Sequence, residues 1–262
     1  MELTDAQFER YARHLILDEV GDAGQEKLLQ ARVLVVGAGG LGAPMLLYLA
    51  AAGVGTIGII DDDHVDLSNL QRQVIHMTER VGSAKTQSAA ATIAAVNPDI
   101  VVEQHATRLT ADNVMALIND YDVIADGSDN FSTRYLLNDA CHLAGKTLVA
   151  GALLRFEGQL STFRSGVSGH QDAPCYRCLF PATPAAGTVP RCDEAGILGA
   201  VAGVIGTLQA TEVIKEILSL GDSMAGRLML YDSLSGSFRT VKFKRNPECP
   251  LCGDAPQIQA VS

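Results

Sequence analysis

The sequence predicts an α/β fold in which an open, mostly parallel sheet is flanked by helices and closed by antiparallel strands at its C-terminal end. Three observations carry this expectation. Short apolar runs such as Val33-Leu34-Val35-Val36 alternate with helix-period segments from residue 32 to residue 149, the pattern of strands buried on both faces and joined by crossover helices. A glycine-rich turn, residues 37–42, follows the first run directly and leads into a helix. Past Gly151 the alternation gives way to a strand, a long helix and two final strands.

The elements follow in order. Thr4 and Gln7 have capping-box spacing, and Phe8, Tyr11 and Leu15 recur at helical spacing, so a helix is expected over 5–17 and a second over 24–30. Strand 33–36 precedes the glycine turn, and Pro44 suits the first turn of the helix after it. Strand 56–60 ends at Asp61-Asp62-Asp63, and a helix over 84–96 stops at Asn97-Pro98. Strand 100–103, helix 111–119, strand 122–125, helix 132–144 and strand 147–149 continue the alternation. Beyond lie strand 159–164, a loop over 165–170, a mobile Pro/Ala/Gly/Thr-rich stretch over 183–191, a helix over 198–220, and strands 227–231 and 238–244. With no internal repeat or separating linker, one domain over 1–262 is expected. It comprises N-terminal helices (1–31), an alternating strand–helix core (32–151), a C-terminal part (152–252) and a tail (253–262).

Composition bounds the function. The 262 residues are 47% apolar and 19% charged, ample for a core. A net charge of −10 argues against nucleic acid as the main partner, which requires a basic footprint. The N-terminus is amphipathic rather than an apolar signal segment, and the weakly polar stretch 196–208 is too short to span a membrane. A cytoplasmic location, with no membrane partner, is the expectation.

Four of the six cysteines form two CxxC knuckles, Cys175/Cys178 and Cys249/Cys252, 70 residues apart. Each knuckle offers two thiolates, and tetrahedral zinc needs four, so the fold must bring the pairs together. Neither knuckle is expected at a helix start as in thioredoxin-like redox motifs. A structural Zn²⁺ clamping the C-terminal strands to the loop after Arg164 is the expectation, against two unrelated thiol pairs. Cys141, inside a helix, is expected in the core.

Gly37-Ala38-Gly39-Gly40-Leu41-Gly42 matches GxGxxG between strand and helix, where backbone and helix N-terminus can receive a phosphate in a Rossmann-like fold. Asp61, 24 residues after Gly37, stands where a carboxylate accepts bonds from a ribose. These features fit NAD as well as ATP. Arg72 and Lys85 shift the balance, because a triphosphate and the transition state of its attack carry more charge than backbone amides can meet. Asp129, in Gly127-Ser128-Asp129-Asn130, is a candidate magnesium anchor, although Asp129-Asn130 can also simply cap the next helix.

Over residues 3–253 the chain resembles the MoeB/ThiF/HesA family of ubiquitin-activating-type enzymes. The resemblance is carried by RYARHLIL (10–17), GAGGLG (37–42), AGVG (52–55), DLSNLQRQ (66–73), Lys85, NP (97–98), GSDN (127–130), CYRC (175–178), GTLQATEVIK (206–215) and CPLC (249–252). It implies ATP-dependent adenylylation of a ubiquitin-like sulfur carrier ending in Gly-Gly. Gly40 would approach the phosphates and Asp61 hold the ribose. Ser68, Asn69, Arg72, Lys85 and Asn130 would line the ATP site, and Asp129 would position Mg²⁺. Arg13 would reach the nucleotide of the neighbouring subunit, which implies a homodimer; His14 stands beside it where relatives commonly carry Gln. Cys192 matches a family cysteine with thioester or acyl-disulfide chemistry in some members and dispensable in others. Arg191 beside it could lower its pKa, and an ordinary loop cysteine is the alternative.

Residues 153–159 and 244–247 resemble the MoeB branch, which implies the molybdopterin-synthase small subunit as carrier. The chain carries no rhodanese domain after the second knuckle, so a separate sulfur donor, a cysteine desulfurase or rhodanese, is expected. Competing readings are the same chemistry on a thiamine or tRNA-thiolation carrier, an NAD-dependent oxidoreductase on the same glycine framework, and a non-catalytic carrier-binding protein.

Overall fold

The computed structural model describes residues 3–184 and 195–261. One eight-stranded sheet runs in the order β3-β2-β1-β4-β5-β6-β7-β8. Its strands are β1 (Arg32–Val36), β2 (Thr56–Ile60), β3 (Val101–His105), β4 (Val123–Asp126), β5 (Thr147–Leu154), β6 (Glu157–Phe163), β7 (Arg227–Asp232) and β8 (Ser237–Lys242). The first five are parallel neighbours, and pairing turns antiparallel from β5–β6 onward. The helices are α1 (Asp5–Leu15), α2 (Gly21–Gln30), α3 (Gly42–Ala52), α4 (Lys85–Val96), α5 (Ala111–Asn119), α6 (Phe131–Ala144), a single turn α7 (Tyr176–Leu179) and α8 (Gly199–Leu218).

The unbroken apolar strands have the anticipated cause: both faces are covered. Val33 and Val35 of β1 join a core with α3, α4 and α8, and Leu34 and Val36 join a second core with α5 and α6, following the two-residue period of a strand. Thr4 closes α1 with both halves of the capping box. The glycine turn is forced by contact. Gly37 has φ +92°, and a Cβ on Gly42 would lie 1.9 Å from the Gly37 carbonyl oxygen, so neither position admits a side chain.

Strand order reverses around β1, whose neighbours β2 and β4 lead away in opposite directions. Such a switch point leaves a crevice at the carboxyl ends of the strands.

Most element ends differ from the sequence reading by one to three residues, α1 ending at Leu15 rather than 17, α2 starting at Gly21 rather than 24, β3 running to His105 rather than 103, and β8 stopping at Lys242 rather than 244. Two differences have a visible backbone cause. β5 continues five residues beyond Val149, to Leu154, because it turns into β6 through Arg155-Phe156, pairing Leu154 with Glu157. Arg155 takes that turn at φ +55°, a conformation usually signalled by Gly or Asn; nothing in the local sequence announces it. α8 stops at Leu218 rather than 220, ended by Ser219 at φ +56°. Cys141 is buried in α6 as expected. Most of the Pro/Ala/Gly/Thr-rich stretch, from residue 185 on, lies outside the described residues. No described helix is long and apolar enough to cross a membrane.

Candidate active site and metal centre

A cavity of about 480 Å³ opens at the switch point. The glycine turn after β1, Asp61 to Asp63 after β2, and Gly127 to Arg134 after β4 form three of its walls. Of the ATP-site residues expected from sequence, Gly40, Asp61, Asn69, Arg72, Lys85, Asp129 and Asn130 all line it. Ser68 and Arg13 do not. Ser68 is exposed on a 3₁₀ turn (Leu67–Asn69), where its carbonyl accepts a hydrogen bond from Arg72 Nη1 at 3.3 Å. Arg13 is exposed in the last turn of α1. Cys192 and Arg191 lie outside the described residues.

Asp61 ties two walls together. One carboxylate oxygen accepts from the Ala38 N–H of the glycine turn at 2.8 Å, and the other from the Asp63 N–H at 2.9 Å. Each oxygen keeps a lone pair for a further donor. Lys85, at the start of α4, is buried along its stem and holds Asp63 Oδ2 at 2.9 Å; the Asp63 side chain is 69% exposed. A pair with one solvated partner exchanges readily for a better-placed anion. Arg72 is only loosely held, with Nη2 3.5 Å from Asn69 Oδ1, whereas Gln73 donates to the same oxygen at 2.7 Å.

The GSDN segment divides its work. Asn130 is the N-cap of α6, its Oδ1 accepting from the Thr133 N–H at 2.9 Å. The capping alternative therefore holds for Asn130 and not for Asp129, whose exposed carboxylate faces the cavity without a hydrogen bond among the described residues. An uncommitted carboxylate in a basic-lined cleft can hold a cation.

Arg108 and Arg134 line the cavity without having been expected there from sequence, and two buried groups beside it, Asp126 and His76, were not signalled either. Asp126, the last residue of β4, is fully buried, and burial pushes its carboxyl above the usual carboxylate range. Its Oδ1 accepts from the Ser128 N–H at 2.8 Å, while Oδ2 has no partner. Arg134 follows on α6 and lines the same cavity. His76 sits beneath the glycine turn, with Nε2 2.9 Å from the Ala38 carbonyl and Nδ1 2.9 Å from Ser88 Oγ. A carbonyl only accepts, so Nε2 carries the proton and Nδ1 accepts from Ser88. The adjacent GSDN segment was the only sequence signal near Asp126 and Arg134.

The two knuckles meet. Cys175 and Cys249 Sγ atoms are 3.5 Å apart, Cys178 and Cys252 are 3.3 Å apart, and Cys175 and Cys178 are 3.9 Å apart. Tetrahedral bonds of about 2.3 Å to one zinc ion place sulfurs roughly 3.8 Å from each other, so the four thiols fit a metal ion. Hydrogen bonds from Cys175 and Cys252 hold the Cys178 thiol below the usual thiol range, and the Asn246 N–H, 3.3 Å from its sulfur, assists. In one respect the expectation fails: Cys175 does start a helix, as N-cap of α7. That helix is a single turn whose thiols face the second knuckle, a geometry for metal rather than for disulfide exchange.

The knuckle is bolted to the cleft wall. Arg177, between Cys175 and Cys178, donates from Nε and Nη2 to the two oxygens of Asp139 on α6 at 2.7 and 2.6 Å. The Tyr176 N–H donates to Asn138 Oδ1 at 2.7 Å. α6 is thus fixed at its middle by the cysteine cluster and presents its N-terminus to the cavity.

A family model described as the ThiF family matches residues 11–251. The "SAMP-activating enzyme E1" of Haloferax volcanii is 50% identical over 254 residues, covering 97% of this chain and 92% of that protein. The "Sulfur carrier protein adenylyltransferase" of Thermus thermophilus is 49% identical over 256 residues, covering 98% and 94%. A crystal structure of E. coli MccB with MccA-N7isoASN shares the fold at a TM-score of 0.80 and 23% identity, covering 93% of this chain and 74% of that one. The chain belongs to the ThiF family, as an adenylyltransferase of that type.

Proposed function

We propose that the protein adenylylates the C-terminal glycine of a ubiquitin-like sulfur carrier ending in Gly-Gly, consuming ATP and releasing pyrophosphate. The observation that carries this reading is the cavity itself: Arg72, Lys85 and an uncommitted Asp129 converge on a glycine turn at the sheet's switch point. The high identity to a sulfur carrier adenylyltransferase supports it.

The chemistry needs no general base. A carrier carboxylate oxygen attacks the α-phosphorus, a new O–P bond forms, and the bond to the β-phosphate oxygen breaks with its electron pair leaving on pyrophosphate. The nucleophile is ionised at neutral pH, so no proton moves, and alignment with charge stabilisation suffices. Gly40 lets the backbone approach the phosphates, Asp61 receives the ribose, and Asn69, Arg72 and Lys85 meet phosphate charge. Asp129 is the residue suited to hold Mg²⁺, which when bound neutralises the charge of the departing pyrophosphate. The four cysteines suit a structural Zn²⁺, with no coordination position left for catalysis.

Arg13, on the surface and away from its own cleft, suits a role in a neighbouring subunit's site, and hence a homodimer. The segments 153–159 and 244–247 favour the molybdopterin-synthase small subunit as carrier over a thiamine or tRNA-thiolation carrier, with sulfur supplied by a separate donor protein.

The test is ATP–pyrophosphate exchange dependent on a Gly-Gly-terminated carrier. Arg72→Ala and Asp129→Ala are each expected to reduce exchange by at least about 10²-fold while leaving the melting temperature unchanged. Exchange retained in both variants overturns the assignment.

A further inference from the structure

Among the described residues four cations line the cavity, and of these the exposed Arg108, after β3, follows the strand outermost from the glycine turn's own strand, β1. Arg72 and Lys85 come from the segments that follow β2, whereas Arg134 comes from the first turn of α6, after β4. Arg134 also lines a second, smaller cavity bounded by β5, β6 and α7, so its side chain stands between the two spaces. Its Nη2 donates to the Ser128 carbonyl at 3.2 Å, and its Cζ lies 5.6 Å from the centre of the Phe131 ring. Its Nε is buried with no hydrogen-bond partner, and among the described residues it forms no ion pair with a carboxylate.

A half-buried guanidinium whose Nε has no acceptor and which bonds no anion is costly, and such a site is completed by a ligand that supplies the missing acceptor. The chain's own candidate for that acceptor is weak. Asp126 is fully buried, its Oδ1 accepts from the Ser128 N–H and its Oδ2 has no partner, so neither oxygen bonds the guanidinium. The donor fork of arginine matches a carboxylate in two parallel bonds.

We propose that Arg134 binds the terminal carboxylate of the carrier and aligns it for attack on the α-phosphorus. The inference rests on the adenylylation reading and deepens it by naming the residue that recognises the nucleophile. Phosphate-side charge then falls to Arg72 and Lys85, and nucleophile-side charge to Arg134.

The test compares binding of two forms of one Gly-Gly carrier, the free acid and its C-terminal carboxamide, to wild type, Arg134→Gln and Arg134→Lys. Wild type is expected to prefer the acid by at least about tenfold, the strength of a hydrogen bond to a charged group. Arg134→Gln is expected to bind both forms alike and to raise the carrier KM in exchange by a similar factor, with ATP affinity unchanged within about twofold. Arg134→Lys keeps the charge and loses the fork, and covers the case in which glutamine unfolds the protein; a preference for acid as large as wild type's overturns the proposal. So does Arg134→Gln that still discriminates acid from amide, or that loses ATP affinity instead. Failure of the adenylylation reading is separate, because wild type itself would then show no carrier-dependent exchange.

Discussion

The link between Arg177 and Asp139 makes the cysteine cluster and the nucleotide cleft one mechanical unit, and its removal is measurable. The side chains are 18% and 9% exposed, and both hydrogen bonds are short. Arg177→Met removes the cation, its contact 4.8 Å from the Tyr135 ring, and both bonds at once. Asp139 then stays buried on α6 with its charge unpaired, and breaking a buried pair from one side costs about 3–5 kcal/mol. At roughly 2–4 °C per kcal/mol for a chain of this size, melting should fall by about 6–20 °C. The double variant Arg177→Met/Asp139→Leu removes both charges and should recover most of that loss, since an apolar replacement of a buried pair is often close to neutral. Calorimetry at matched metal content is the assay. Arg177→Met melting within about 1 °C of wild type, or a double variant worse than the single one, refutes the reasoning.

Two further outcomes are expected. Cys249→Ser should lower bound zinc, measured by elemental analysis, and destabilise the fold by at least about 3 kcal/mol; a metal-free protein as stable as wild type contradicts the bracing role. Burial holds the His76 imidazole below its usual range, so the folded state resists a proton that the unfolded state accepts. That contribution is fully present above about pH 6.5 and is lost as pH falls below it. Asp126, shifted up by burial, acts in the opposite sense. Urea midpoints followed from about pH 7.5 to about pH 5 should therefore decline less steeply in His76→Gln than in wild type, and identical slopes count against it.

The parts of the fold and site that were legible in the sequence are those whose physics is local. The glycine turn announces itself because Gly37 and Gly42 touch within one short turn, and the cysteine knuckles because each pair shares one turn. The paired faces of the sheet were readable from runs such as Val33 to Val36. What escaped depends on contacts between distant segments. Arg177 reads as an ordinary charge until Asp139, 38 residues earlier, is brought beside it. Asp126 looks like a strand end until burial strips its solvent. Asp129 and Asn130 are chemically similar neighbours, and only the backbone direction at α6 assigns one to the cap and the other to the cavity. The hairpin at Arg155 was hidden because a residue without turn preference is held at positive φ by the pairing on both sides.

The central claim is the bond made between carrier and nucleotide. The most direct measurement is the intact mass of a Gly-Gly-terminated sulfur carrier after brief incubation with the protein, ATP and Mg²⁺. The account predicts a carrier heavier by one adenylyl group, in an adduct cleaved by hydroxylamine, formed by wild type and missing with Asp129→Ala. An unmodified carrier alongside ATP turnover, or oxidation of a substrate by NAD at the same cleft, contradicts it.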